Sequence, residues 1–167
     1  MDRKSFARLE CPMARAVDAL ADPWSLLLIR TALLGARRFQ DFVDMIDVPP
    51  TTLTRKLQQL IDHGLVDKRT LPTSPSREVY ELTSKGRDVL PVLLAMSTWS
   101  AKWQSPKGPP LECFDPDTDA LIEAVVVDKR TGTPLVAGAV GLRAGPGASA
   151  RLRKEMQRPV VLGGAVA

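Results

Sequence analysis

The stretch around residues 47–64 constrains the fold most, because residues that stop helices mark both of its ends. It begins with DVPP, and proline cannot continue a helix, since it lacks an amide donor and clashes with the preceding turn. Apolar side chains then recur at helical spacing as far as Gly64, a residue typical of the position after a helix: Leu53, Leu57, Leu60 and Ile61. The pattern predicts a tight turn followed by an amphipathic helix from about Pro50 to His63.

The opposite face of this predicted helix has an unusual polar composition. Hydroxyls and cations fill its first turns, and Gln59 follows, although the positive end of the helix macrodipole favours acidic groups. The residues concerned are Thr51, Thr52, Thr54, Arg55 and Lys56. Two interpretations stay open on this pattern alone: a solvated helix surface, or a face directed at an anionic partner.

Three helices are predicted before this one. Residues 12–21 start with Pro12, which suits a first helical position, and carry an apolar stripe. The next helix has Asp22 as its cap and is apolar nearly all round until Gly35, so we expect it to be the buried centre. A short helix within residues 37–46 follows, on the spacing of Phe39, Phe42, Val43 and Ile46.

A hairpin and a long helix are predicted next. Residues 65–71 and 77–83 alternate apolar and polar side chains, as strands do, and PTSPS between them has the composition of a loop. Thr83 is placed to cap a helix that runs to about Trp103. Pro91 either kinks that helix or lies in its first turn.

The linker QSPKGPP divides the chain into a first domain, residues 1–105, and a C-terminal extension, residues 106–167. In the extension we expect two strands, within residues 121–128 and 135–142, around a turn at Thr131-Gly132. Beyond these strands we expect poor order, with a basic cluster at Arg151, Arg153, Lys154 and Arg158.

Composition is that of a soluble globular protein, with 44% hydrophobic and 25% charged residues in a chain of 167. No apolar run reaches the roughly 18 residues that a membrane span needs, and the N-terminus lacks a signal-peptide core, so we expect a cytoplasmic protein. The net charge of +4 permits binding to nucleic acid. Residues 36–88 carry nine Lys and Arg against eight Asp and Glu, so that case depends on where the charges lie.

Neither catalysis nor metal binding is predicted. Cys11 and Cys113 are the two cysteines, and they offer neither a disulfide framework nor a CxxC zinc site. His63 is the single histidine and lies at a predicted helix C-terminus, where a cation is mildly favoured. The chain has no P-loop and no GxGxxG motif, so we expect no enzymatic activity and no cofactor.

The predicted order of elements is that of a winged helix-turn-helix, a mainly α fold with a small β-hairpin. Such a motif places the start of its second helix at base edges in the major groove. Short hydroxyls can bind phosphates or contact thymine methyls there, and arginine can bind guanine, so we expect the polar face described above to bind DNA. The wing and the start of the motif add further candidates: Arg37, Arg38, Arg69, Ser74, Ser76 and Arg77.

Several sequence pieces within residues 10–103 occur together: the CP pair, DPWSLLLIR, GARRFQDF, LQQLIDHGLV and YELTSKG. Jointly they closely resemble the HxlR-type family of bacterial winged-helix regulators. The resemblance implies a transcriptional regulator that binds an inverted-repeat operator as a homodimer. It also implies that the N-terminal helix and the long helix after the wing form the dimer interface.

The resemblance assigns roles to other residues as well. In some members the cysteine matching Cys11 senses electrophiles or oxidants; the alternative for this residue is a small buried apolar side chain. Trp24, Trp99 and Trp103 are expected in the core, in the dimer interface or around a small-molecule effector. The extension is similar to that of longer members, in which a short β segment ends in a GPG-type sequence, as Gly145-Pro146-Gly147 does here. Its role stays open: ligand binding, bracing of the dimer, or DNA contact.

One alternative function remains beside that of a DNA-binding regulator. Winged helices also serve as protein–protein interaction modules, and the nearly neutral charge of residues 36–88 is compatible with that use. Salt dependence separates the two, because binding to duplex DNA falls steeply as salt rises.

Overall fold

The structure, a computed structural model, describes Phe6, residues 8–71 and residues 74–163. The described residues form two compact units, one built mainly on Cys11–Met96 and the other on residues 97–163. The first unit contains all the elements of the predicted DNA-binding motif, and its core is a single cluster of buried apolar side chains.

Two helices begin the first unit, and each starts at a proline: α1 spans Pro12–Leu20 and α2 spans Pro23–Leu33. Asp22 caps α2, because its Oδ1 accepts hydrogen bonds from the amides of Trp24 (2.8 Å) and Ser25 (3.2 Å). Leu28 and Ile29 are almost completely buried. The prediction that α2 lies at the centre of the domain is confirmed.

The helix-turn-helix follows. Helix α3 spans Phe39–Ile46, and α4 spans Pro50–Asp62. Between them the chain turns at Asp47, whose φ of 47° is left-handed. The leucines of α4 lie on its buried side, with Leu53, Leu57 and Leu60 all nearly inaccessible to solvent. The boundaries and the buried face of α4 agree with the prediction from leucine spacing.

The wing is an antiparallel pair of strands, β1 (Val66–Leu71) and β2 (Ser74–Leu82). Strand β2 begins three residues earlier than predicted, because Ser74 pairs with Leu71 after a register shift. Part of the PTSPS segment is therefore strand and not loop; residues 72 and 73 lie outside the described residues.

Aromatic packing joins the wing to the helix-turn-helix. The rings of Phe42 in α3 and Tyr80 in β2 meet edge to face with their centroids 6.3 Å apart. This is the geometry that the quadrupoles of two aromatic rings favour. The contact fixes the base of the wing against the motif.

Two helices replace the single helix predicted after the wing. Helix α5 spans Ser84–Arg87, and Thr83 caps it by accepting the amide of Gly86 at 3.1 Å. Helix α6 then spans Leu90–Gln104. Pro91 falls in the first turn of α6, where its missing amide costs no hydrogen bond, so the kinked alternative is excluded.

The second unit contains β3 (Val140–Leu142), α7 (Ala150–Glu155) and β4 (Val160–Leu162), with β3 and β4 antiparallel. It includes the last part of α6, from residue 97 on. Residues 121–128 form no regular strand; they make only single bridges, from Leu121 to Phe114 and from Val127 to Pro134.

The prediction of poor order after residue 142 is wrong for the described part of the tail. Ser149 caps α7 by accepting the amide of Leu152 at 3.1 Å, and β3 gives β4 a hydrogen-bonding partner. A helix cap and a pairing between two strands distant in sequence depend on specific positions, which composition alone does not reveal.

Lys56 corrects the predicted polar face of α4. Only 7% of this residue is exposed, and its ammonium donates hydrogen bonds to Asp22 and, at 3.0 Å, to Oε1 of Gln59. The reason is helical geometry, because residue 56 shares the i, i+3, i+4, i+7 stripe with the buried leucines. Lys56 therefore binds the cap of α2 inside the subunit and does not face outward with Thr51 and Arg55.

We expect Lys56→Met to lower the free energy of unfolding by about 3 kcal/mol, since removal of the ammonium leaves the buried carboxylate of Asp22 without its cation. Restoring neutrality in the double variant Asp22→Asn/Lys56→Met should bring stability back to within about 1 kcal/mol of wild type, because well-packed neutral groups often replace a buried pair. Urea denaturation at fixed protein concentration measures both. Lys129→Met, on an exposed turn, is the control. A single variant as stable as this control would contradict the structural role of the pair.

We also expect Gly86→Ala to destabilise the domain by about 2 kcal/mol, as overpacking of a tight site does. A Cβ on Gly86 would lie 2.1 Å from the carbonyl oxygen of Leu65, a backbone atom that cannot move aside cheaply. Gly145→Ala is a matched control, because nothing lies within 4 Å of the added atom. Equal urea midpoints for the two variants would show that α5 does not pack this closely against Leu65, the residue before β1.

Candidate nucleic-acid interface

The start of α4 presents hydrogen-bond donors outward. Pro49 and Pro50 have no amide proton, and the first intrahelical bond runs from the amide of Leu53 to the oxygen of Pro49 at 2.9 Å. The amides of Thr51 and Thr52 therefore have no acceptor within the helix, and Pro49 forms no side-chain cap. Amides at the positive end of a helix macrodipole form a ready site for a phosphate.

The side chains around these amides differ in what they offer. Thr51 and Arg55 are exposed, and Thr52 is half-buried. Thr54 is exposed, but its hydroxyl donates to the oxygen of Pro50 at 2.9 Å, so its methyl group and the two acceptor lone pairs of the hydroxyl remain for a partner. Gln59 is exposed at the far end of this face and accepts from Lys56.

Arg55 is the cation of this face. Its side chain makes no ion pair within the described residues, so its guanidinium charge is not offset by a neighbour. A planar guanidinium with five donors matches the two acceptors of guanine or the oxygens of a phosphate. The arrangement can therefore bind an anion or a base edge that is brought to the start of α4.

The two arginines before α3 are held by Asp41. Its Oδ2 accepts the amides of Arg37 (2.9 Å) and Arg38 (2.8 Å). These backbone donors, Arg37 first, hold the pKa of the Asp41 carboxyl below its ordinary value, so the carboxylate stays charged at neutral pH. Both arginine side chains are exposed, but the guanidinium of Arg37 is bonded to Glu81 in β2.

Glu81 neutralises cations at the base of the wing. Besides Arg37, it lies near Arg69, with 3.8 Å between Oε2 and Nη1. Arg69 also donates to Oδ2 of Asp67 at 3.2 Å. Two of the predicted phosphate-binding arginines thus form a nearly neutral network with two carboxylates. Arg77 is exposed on β2 and makes no ion pair in the described part of the chain.

The remaining predicted wing residues, Ser74 and Ser76, lie in β2, but their side chains fall outside the described residues. Elsewhere in the wing, Nζ of Lys68 lies 2.7 Å from Oε1 of Glu78 on the neighbouring strand. Sequence reasoning identified the wing cations but missed the carboxylates that offset them. A signal existed for Asp67 and Arg69, since residues two apart in a strand share a face.

The other residues with predicted roles lie on other elements or at the C-terminal end of α4. Cys11 is exposed and free at the N-cap of α1, and Cys113 is exposed and free in the second unit. Trp24 is half-buried and packs against the core. Trp99 and Trp103 are exposed on α6. His63 is the C-cap of α4, and its oxygen accepts from Nζ of Lys85 at 2.6 Å.

The described residues contain neither a candidate metal site nor a candidate membrane span. No group of three or more histidine, cysteine, aspartate or glutamate side chains is placed to hold a metal ion there. Among the helices in the same ranges, none is both long and apolar enough to cross a bilayer.

Comparison with known proteins identifies the family. The family model described as HxlR-like helix-turn-helix matches residues 19–108, more than half of the chain. An uncharacterised HTH-type transcriptional regulator of Mycobacterium bovis is 28% identical over 141 residues, which cover 84% of this chain and 89% of that protein. One from Synechocystis is 38% identical over 94 residues, or 56% of this chain and 70% of that protein.

Solved structures agree with the sequence matches. PA1607, a candidate transcription factor, superimposes with a TM-score of 0.76 at 28% identity, over 86% of this chain and 99% of that one. The reduced form of the transcriptional regulator YodB from Bacillus subtilis gives 0.52 at 27% identity, over 59% and 98%. The winged helix-turn-helix expected from the sequence is confirmed, and the chain belongs to the HxlR-like helix-turn-helix family of transcriptional regulators.

Proposed function

We propose that the protein regulates transcription in the cytoplasm by binding an inverted-repeat DNA operator as a homodimer. One observation carries the proposal: the start of α4 has two amides without helical acceptors, beside exposed Thr51 and beside Arg55, whose guanidinium makes no ion pair within the described residues. The leucines of the same helix are buried, so this polar side is the one available to a groove.

The chemistry of this surface suits the major groove. The amides of Thr51 and Thr52 bind a backbone phosphate and so fix the angle at which α4 enters. Arg55, one turn later, reaches a base edge, and guanine is its best partner because O6 and N7 accept both arms of the fork. The methyl group of Thr54 meets a thymine methyl or a sugar.

The wing contributes positive charge that contacts phosphates, and it does not contact base edges. Arg38 and Arg77 are exposed and make no ion pair within the described residues, so they contact phosphates most strongly. Arg37 and Arg69 share Glu81, and their contribution is smaller because a carboxylate already offsets each charge. Ser74 and Ser76 are proposed to meet the backbone as the predicted tip of the wing.

Apolar exposure supports the homodimer. Met13 on α1 is 69% exposed, and Met96 and Trp99 on α6 are at least half exposed. Isolated subunits rarely present so many large apolar side chains, which are typical of a surface that a partner covers. A two-fold axis through such an interface would set the distance between two copies of α4 and hence between two half-sites.

Regulation by a small molecule or an oxidant remains part of the proposal. Cys11 is accessible, and Trp99 and Trp103 lie exposed on α6, so an adduct or a ligand at either place can change the pairing of subunits. A change in that pairing alters half-site spacing, which is how a signal at the interface would reach the operator.

We expect Arg55→Ala to weaken binding to the selected operator by about 1–3 kcal/mol while leaving binding to random duplex nearly unchanged. The physical reason is loss of a bidentate contact to a base, which random sequence does not supply in register. Fluorescence anisotropy with both duplexes measures the two affinities, and Arg130→Ala, an exposed arginine in the second unit, is the matched control. Equal losses on both duplexes would assign Arg55 to phosphate instead.

For the wing, we expect Arg77→Ala to weaken binding to all duplexes alike and to reduce the slope of log affinity against log salt by about 1. Arg69→Ala should act in the same direction but less, because Asp67 and Glu81 already offset its charge. Titrations at several salt concentrations measure the slopes. Absence of any salt dependence in the wild-type protein would favour the protein–protein interaction module instead.

A further inference from the structure

The second unit has an ordered backbone but no core of its own. None of the described residues from 97 to 163 is buried, although caps, bridges and the β3–β4 pair define its path. Large apolar side chains are exposed to solvent, among them Leu121 (68% exposed), Val125 (66%) and Val136 (63%). A compact unit without buried apolar surface has little to offset its conformational entropy, so another surface must cover it.

The exposed apolar side chains are organised by hydrogen bonds. The amide of Leu135 donates to the oxygen of Val126 at 2.8 Å, next to the antiparallel bridge between Val127 and Pro134. We call residues 121–127 and 134–136 the apolar ribbon. The amide of Ala124 donates to Oγ1 of Thr98 at 3.2 Å, which attaches the ribbon to the last part of α6.

This attachment places the apolar ribbon beside a proposed interface. Thr98 is adjacent in α6 to Trp99, and Trp103 lies one turn further along; these tryptophans are 56% and 66% exposed. Within the second unit, the last part of α6 and the apolar ribbon are therefore neighbours, and one partner can contact both. Aromatic side chains at the centre of an apolar patch are typical of interfaces.

Charge indicates which partner fits. Residues 112–128 carry six acidic side chains and no basic one, whereas residues 143–158 carry five basic side chains and one acidic one. No ion pair joins the two segments within the described residues. A surface with separate acidic and basic segments is complementary to itself after a two-fold rotation, because each acidic segment can then meet the basic segment of the other copy.

We propose that the apolar ribbon packs on the second unit of another copy of this chain and so extends the dimer interface beyond α1 and α6. The inference deepens the proposed function, since it rests on the homodimer named there and assigns the extension to it. A single interface then buries the side chains that neither unit covers alone.

The test introduces charge into the apolar ribbon of the full-length protein. In the monomer, Val125→Asp/Val136→Asp changes only exposed positions, but in the dimer it buries carboxylates without partners. Sedimentation velocity over about 0.1–100 µM should show a wild-type dimer and, for the double variant, a dissociation constant raised at least about 100-fold. Gln40→Asp/Gln58→Asp, at exposed polar positions of α3 and α4 outside both charged segments, adds the same two charges and should leave the constant within about threefold.

If circular dichroism shows that the double variant is unfolded, Val125→Thr/Val136→Thr replaces it, because threonine keeps the shape of valine. Its hydroxyls should raise the dissociation constant about tenfold. A monomeric wild type, or variants that dimerise as the wild type does, would overturn the inference; a monomer would indicate a different protein as the occupant.

Anisotropy with the selected duplex separates this inference from the proposed function. If the ribbon variants disrupt the wild-type dimer but that dimer binds no DNA, the inference about the interface holds and the proposed DNA-binding function fails. If the wild-type dimer binds DNA and the variants do not weaken the dimer, the proposed function holds and only the inference about the apolar ribbon fails.

Discussion

The carboxylate of Asp22 organises two helices at once. One oxygen accepts the first amides of α2, and the other accepts the ammonium of Lys56 from α4. Both residues are buried, so a rotation of α4 that carried Lys56 to the surface would separate two charges in a low-dielectric interior. Together with the leucines, this pair determines that Thr51 and Arg55 face outward, and the whole proposed interface follows from that orientation.

Positive charge on the resulting surface is offset at some arginines and not at others. Within the described residues, carboxylates offset Arg37 and Arg69, whereas Arg55 and Arg77 make no ion pair. A winged helix whose charges nearly cancel can therefore still present positive charge at the positions that are proposed to meet DNA. Glu81 also ties the segment before α3 to the wing, so the same carboxylate that reduces charge fixes the geometry of the two elements.

Local patterns predicted most of the first unit, because its elements are marked by residues with strong conformational preferences. Prolines at the starts of α1, α2 and α4, and leucines at helical spacing, located those helices within a residue or two. The prediction failed where partners are distant in sequence. Lys56 meets a carboxylate 34 residues away, and Glu81 lies 44 residues from Arg37. The extension was hardest to predict, because the valines at residues 125–127 suggested a strand, but only Val127 forms a bridge, and an isolated one.

Sequencing of the DNA that the full-length protein selects from a random pool tests the central claim most directly. If the outward side of α4 reads the major groove in a two-fold dimer, the selected fragments share an inverted repeat whose half-sites lie about one helical turn, or roughly 10 base pairs, apart. Recovery of the same distribution of sequences as in the starting pool, from protein that is folded and at low salt, would contradict it.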